Sequence, residues 1–239
     1  SQLTWSLNKK KYLPDEFPKR NLSFLSTYDV MAPSDKFLST DKDNVFTAFK
    51  WAKADKMMFY NRQQLTFDYE QMYGLRTLLS VKTEKNDAAG NMTFTPLNAD
   101  HSIGFRTTEL RAEIEYSPGA LYTNSKQRRL KVNREAPVII LSHTMGVKGM
   151  LGGDYDYHYT EASIFKRIWL NSWGRIDLYT RGGVQWSQLP FPLLCMPAAN
   201  MSYLSQKQSF NLLTSMEFLN DRFVSVDMNW DMQGKIFNS

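Results

Sequence analysis

The chain has one cysteine and three histidines in 239 residues, no apolar run of membrane-helix length, and a formal net charge of only +5. Each scarcity excludes something. Cys195 alone makes no internal disulfide and no cysteine metal centre, and within Leu193-Leu194-Cys195-Met196 it reads as a small buried apolar group. Its lack of a partner does not establish a reducing compartment, because a sheet held by strand pairing needs no staple. The longest apolar runs, Val138 to Leu141 and Pro190 to Met196, fall far short of the roughly 20 residues of a transmembrane helix. Five surplus positive charges give no argument for nucleic acid as a partner. His101, His143 and His158 stand on separate segments, and neither a Gly-rich phosphate loop, a Gly-x-Ser-x-Gly elbow nor a His-Glu-x-x-His helix occurs. Neither an enzyme nor a cofactor is expected. With no basic start and apolar leader after Ser1, the chain reads as a mature or trimmed segment.

What is present is a mean hydropathy of −0.46 beside 15 Phe, 12 Tyr, 12 Met and 6 Trp. A chain rich in both large rings and polar groups folds, since a disordered one is poor in aromatics. The arrangement of these residues has a period of two. Leu110, Ala112, Ile114 and Tyr116 alternate with Glu109, Arg111, Glu113 and Glu115, and Val224, Val226, Met228, Trp230 and Met232 alternate with Ser225, Asp227, Asn229 and Asp231. Each is a strand with one apolar and one strongly polar side.

The same plan, with more noise, predicts strands over 21–30, 45–54, 58–71, 75–84, 92–97, 121–132, 138–147, 155–169, 175–186 and 201–213. Turn signals such as Asp87-Ala88-Ala89-Gly90, Ser117-Pro118-Gly119, Gly152-Gly153-Asp154 and Gly182-Gly183 fall among them. The spacing predicts one all-β domain over 1–239, an antiparallel up-and-down sheet of about ten to fourteen strands.

Alternation alone does not separate a soluble sheet from a membrane barrel. Length does so better: several runs reach the nine to eleven residues of a tilted membrane strand, above the five or six usual in soluble sheets. Trp51, Tyr60, Tyr69, Tyr116, Tyr155, Tyr157, Tyr159, Trp169, Trp173, Trp186 and Trp230 gather near strand ends, where a headgroup belt would take them. A transmembrane β-barrel is therefore favoured over a large soluble sheet. Its lipid-facing side chains would be Leu110, Ile114, Tyr116, Val224, Val226, Met228 and Trp230.

Five ordered blocks carry a family resemblance: Leu189-Pro190-Phe191-Pro192-Leu193-Leu194, Asn200-Met201-Ser202-Tyr203, Ser209-Phe210-Asn211-Leu212-Leu213, Met216 to Ser225, and Gly234-Lys235-Ile236-Phe237-Asn238. Tyr116-Ser117-Pro118 and the segment 137–159 add to them. Over roughly residues 57 to 238 the chain resembles a family of Bacteroidota outer-membrane proteins. In that family a carboxypeptidase-regulatory-like domain precedes a C-terminal domain of unknown function, which forms a barrel like those of the surface-antigen superfamily of outer-membrane assembly factors. The resemblance implies a bacterial outer-membrane location. It also implies that the N-terminal domain and the strands after the Phe-Asn pair are missing from these 239 residues.

Three constellations are candidates for chemistry. In Asp154-Tyr155-Asp156-Tyr157-His158-Tyr159, strand alternation would put Asp154, Asp156 and His158 on one face, where they could meet a cation; a polar barrel face under a tyrosine belt is the alternative. Lys126, Arg128 and Arg129 lie in a basic run suited to lipopolysaccharide phosphates at a barrel rim, or to a solvated hairpin. Glu217 and Asp221 share one side of their segment and could lock the lumen by pairing with Arg111 or Arg181. Arg181-Gly182 also resembles the Arg-Gly pair on the inward loop of assembly-factor barrels.

The function these features predict is a non-enzymatic outer-membrane barrel of assembly-factor type, serving envelope biogenesis or surface-complex organisation. Its partners would be outer-membrane lipid, lipopolysaccharide and other envelope proteins, and not nucleic acid. A passive pore or scaffold subunit is one alternative, and a soluble sheet binding a ligand such as a glycan is another.

Overall fold

A computed structural model describes residues 1–7, 19–31, 56–71, 73–90, 104–124, 129–189, 193–196 and 219–232. The fold is all-β and antiparallel. Among the described residues eleven strands occur: β1 (Gln2–Ser6), β2 (Lys19–Met31), β3 (Lys56–Glu70), β4 (Leu75–Gly90), β5 (Gly104–Tyr116), β6 (Tyr122–Asn124), β7 (Arg129–Lys131), β8 (Val138–Gly146), β9 (Tyr157–Trp169), β10 (Arg175–Gln185) and β11 (Arg222–Asp231). Nine of them form one sheet in the order β1-β2-β3-β4-β5-β8-β9-β10-β11, and β6 and β7 pair with each other. Apart from that hairpin, every strand lies beside its sequence neighbour, as expected for an up-and-down meander.

Among the described residues the sheet has nine strands rather than ten to fourteen, and β1 and β11 are its two edges. The segments 45–54, 92–97 and 201–213, expected as strands, lie outside the described residues. The run 121–132, expected as one strand, is instead the β6–β7 hairpin, with Tyr122 opposite Lys131. Ser117-Pro118-Gly119 turns the chain out of the main sheet ahead of it.

The connections differ at the two ends of the sheet. One end carries the tight turns 71–74 and 170–174, with 7–18 and the hairpin-bearing 117–137; the other carries 32–55, 91–103, 147–156 and 186–221. The tight turns require glycine. Gly174 has φ +86, and a Cβ there would run into the Asp231 carbonyl oxygen of the neighbouring strand end.

Register makes each face continuous. Leu22, Phe67, Leu79, Ala112 and His143 stand directly opposite one another across β2, β3, β4, β5 and β8. Ile139 meets Ile164, Thr180 meets Val226, and Ile176 meets Trp230. The apolar residues of successive strands thus fall on one face and the charged residues on the other, because a pleated strand alternates and the register never slips by one.

Candidate functional site

The two faces are buried in the opposite sense to those of a water-soluble protein. On the apolar face Val224 is 80%, Met228 67% and Val226 64% exposed, and Ile114, Tyr116 and Trp230 are exposed as well. On the polar face Glu84, Ser142 and Ser163 are buried. We call these the open and the covered face.

The covered face is a lattice of ion pairs between strands. Arg62 Nε lies 2.6 Å from Glu84 Oε2, and Lys82 Nζ 2.7 Å from Glu109 Oε2. Arg76 grips Asp68 through two bonds of 2.9 and 2.8 Å and approaches Glu115 at 3.6 Å. Arg167 holds Asp177 in the same two-pronged way, at 2.6 and 2.7 Å, and Arg175 meets Asp231 at 2.9 Å. Arg181 donates to both carboxylate oxygens of Glu161, at 2.8 and 2.9 Å, and the Tyr159 hydroxyl donates to the same carboxylate at 2.6 Å. Tyr157 likewise donates to Glu109 at 2.7 Å. Planar guanidinium forks suit this task, since each fixes a carboxylate in two directions at once. Tyr157 also packs its ring against Gly146 of the paired strand, leaving no room for a Cβ there.

Residues 42–239 match the C-terminal domain of a family of unknown function (DUF5686). The chain belongs to that family. The match begins somewhat ahead of residues 57–238, over which the sequence blocks carry the resemblance. No curated protein and no solved structure matches the chain.

Several expected site residues are placed differently from their strand-pattern positions. Asp154 and Asp156 precede β9, which starts at Tyr157, so alternation does not align them with His158. Asp154 Oδ2 instead accepts the Arg106 amide at 2.6 Å, and Asp156 Oδ1 accepts the Lys148 amide, both shaping the 147–156 connection. Among the described residues no group of three or more His, Cys, Asp or Glu could hold a metal ion. Glu217 lies outside the described residues. Asp221 precedes β11 and is 66% exposed, at 3.5 Å from its neighbour Arg222 rather than against Arg181 or Arg111. Arg111 pairs with Glu113 of its own strand at 2.7 Å, and the partner of Arg181 is Glu161. Lys126 and Arg128 lie outside the described residues, and of Arg129 only the backbone, at the start of β7, lies within them.

The seven residues expected to face lipid all share the open face, Leu110 half-buried and the other six exposed. Glu84 and Glu109 join this lattice without any signal of their partners in the sequence, and Tyr157 and Tyr159, expected in a headgroup belt, turn their hydroxyls to Glu109 and Glu161 instead. Their polar-side positions are visible in the alternation, but their partners are set by register. Register also joins two histidines that sequence separates: His143 Nε2 and His158 Nδ1 lie 3.4 Å apart on the open face.

Cys195 sits outside the strands, bridged to Asn220 through Asn220 N–H to Cys195 O at 2.9 Å and Cys195 N–H to Asn220 O at 3.1 Å. Burial pushes its thiol up to about 11, so it stays protonated at neutral pH and is a poor nucleophile.

Proposed function

We propose that the chain is the wall of a bacterial outer-membrane β-barrel, and that its work is envelope biogenesis of the assembly-factor kind. The observation that carries this reading is the inverted burial: apolar side chains exposed on eight of the sheet's nine strands, ion pairs covered behind them. In water an apolar face of that extent costs solubility, whereas in hydrocarbon it is the matching surface. The covered lattice then satisfies the charged groups that a bilayer cannot.

Three further features support it. Trp230 and Trp173 stand at one end of β10, their contact made by Trp230 Nε1 donating to Trp173 O at 3.0 Å, and Trp186 stands at the other. From Ile176, opposite Trp230, to Trp186 is ten residue steps. At roughly 3.4 Å per step and a tilt of ~40°, that run rises about 26 Å, against ~25 Å for the apolar band of such a barrel. Both tight turns, 71–74 and 170–174, fall at one end, beside the longer 7–18 and 117–137, and none falls at the other, in partial keeping with the asymmetry of periplasmic and extracellular ends. Finally, β1 covers only Asn21–Leu25 of the longer β2, so among the described residues Thr27–Met31 pair on one side only. An edge of that kind can accept an incoming strand, which is how an assembly factor would engage a client.

Reconstitution tests the membrane reading: the protein inserts into vesicles and needs detergent to stay monodisperse otherwise. Monodispersity in plain buffer without bound micelle would overturn it. Depletion tests the biogenesis reading, which expects lower folded levels of other outer-membrane barrels. Unchanged levels with lost solute uptake would favour a pore.

A further inference from the structure

The open face is not uniformly apolar. A groove of about 440 Å³ crosses it, bordered by Leu65, Phe67, Leu79, Leu110, Ala112 and His143, a size within the ~300–1,000 Å³ of small-molecule sites. It forms beside the cross-strand row Leu22, Phe67, Leu79, Ala112, His143, in which Ala112 is the smallest side chain. Ser80 and Arg111 also border the groove, but alternation puts their side chains on the covered face. The row climbs. Leu22 lies near the tight-turn end of β2, and His143 near the long-connection end of β8.

At the upper end the groove meets a row of polar contacts. Trp186 Nε1 donates to Thr160 Oγ1 at 2.9 Å, and Thr160 Oγ1 lies 2.9 Å from His143 Nδ1. The threonine hydroxyl accepts from the indole and keeps both a proton and a second lone pair, so it can serve His143 Nδ1 in either tautomer. His143 Nε2 faces His158 Nδ1 at 3.4 Å, and the two rings stack with centroids 5.6 Å apart. The row of contacts ends on exposed His158, for whose Nε2 no partner occurs among the described residues. Hydrocarbon offers a pair of imidazoles no polar partner, whereas an anionic oxygen accepts from whichever ring N–H faces it.

We propose that the groove and the His143–His158 pair bind a phosphate-bearing lipid, its acyl chain along the groove beside Ala112 and its phosphate at the imidazoles. The inference rests on the membrane-spanning reading. An apolar channel that rises to a polar, tryptophan-flanked end at the border of the apolar band has the polarity of a lipid molecule, tail inward and headgroup at the rim.

The test uses the full chain in nanodiscs of phosphatidylcholine with increasing phosphatidylglycerol, read by imidazole NMR and by native mass spectrometry of retained lipid. Phosphatidylglycerol should shift the His143 and His158 resonances and be retained about tenfold over phosphatidylcholine, the scale of one hydrogen bond to a charged group. His158→Gln should lose that preference, and Ala112→Phe, which fills the groove, should lose retention while the protein stays in the bilayer. Equal retention of the two lipids by inserted protein overturns the inference and leaves the membrane reading standing. Equal imidazole shifts with inorganic phosphate alone, or a dimer that occludes the groove with no lipid retained, also overturn it. Failure to insert at all overturns both.

Discussion

Arg181 and Glu161 are joined by two parallel hydrogen bonds across the β9–β10 pair, Nε to Oε1 at 2.8 Å and Nη2 to Oε2 at 2.9 Å. They are not directly opposite in register: Arg181 faces Ser163 and Glu161 faces Gly183, so the pair is a diagonal that ties two rungs together. Small Gly183 leaves room for the Tyr159 hydroxyl and the Phe223 ring beside this diagonal.

Removing one member leaves the other partly buried and unmatched. Both side chains keep some solvent contact, 24% for Arg181 and 16% for Glu161, so the cost is below that of a fully buried pair. Glu161→Gln and Arg181→Leu should each lower unfolding stability in detergent by about 1–3 kcal/mol. The double variant should cost less than the sum, measured by a denaturant double-mutant cycle.

The two faces should respond to charge in opposite ways. Val226→Arg places a cation on the open face and should cost about 2–4 kcal/mol near the bilayer midplane. Ser225→Arg is a poor control, because Ser225 stands opposite Arg181. Asn229→Arg is the better one: Asn229 faces Asp177 on the covered side, and its replacement should be nearly neutral in the same refolding assay.

Gly174→Ala should impair folding more than its size suggests. The residue holds φ +86, and the added methyl meets the Asp231 carbonyl, so strain of about 1–3 kcal/mol adds to the clash. Folded yield on electrophoresis without heating should fall, while Gly119→Ala, with open space around its Cβ position, should fall less.

The Cys195 thiol, raised by burial to about 11, should be almost unreactive to maleimide at pH 7.5 in the folded protein. The sign is direct: a raised thiol pKa means less thiolate at a given pH, so labelling should quicken only as pH approaches 11 or as the chain unfolds. Labelling of native protein at the rate of a free thiol would show that 193–196 is not packed as described.

Much of the sheet was legible in sequence where one face is charged. Glu109 to Glu115 against Leu110 to Tyr116 fixes both the strand and its faces, and β5 and β11 fall within a few residues of their expected spans. β1 escaped notice because five residues hold too little alternation. The β6–β7 hairpin reads as one strand because Ser125-Lys126-Gln127-Arg128 between its arms holds no glycine or proline to signal a turn. The candidate cation cluster failed at a boundary: a strand that starts at Tyr157 leaves Asp154 and Asp156 to cap backbone amides. The partners of Arg181 and His143 were out of reach for a different reason. Cross-strand neighbours are set by register and connection length, and neither is written in the local pattern of either strand.

The central claim, that the open face meets lipid, is tested most directly at two adjacent positions of β11. Spin labels at Val226→Cys and Asp227→Cys, in a Cys195→Ala background reconstituted into vesicles, report collision with oxygen dissolved in the bilayer and with a water-soluble nickel chelate. The account predicts high oxygen and low nickel accessibility at 226 and the loss of that contrast at 227. Equal values at the two positions, or nickel-accessible label at 226, would contradict it.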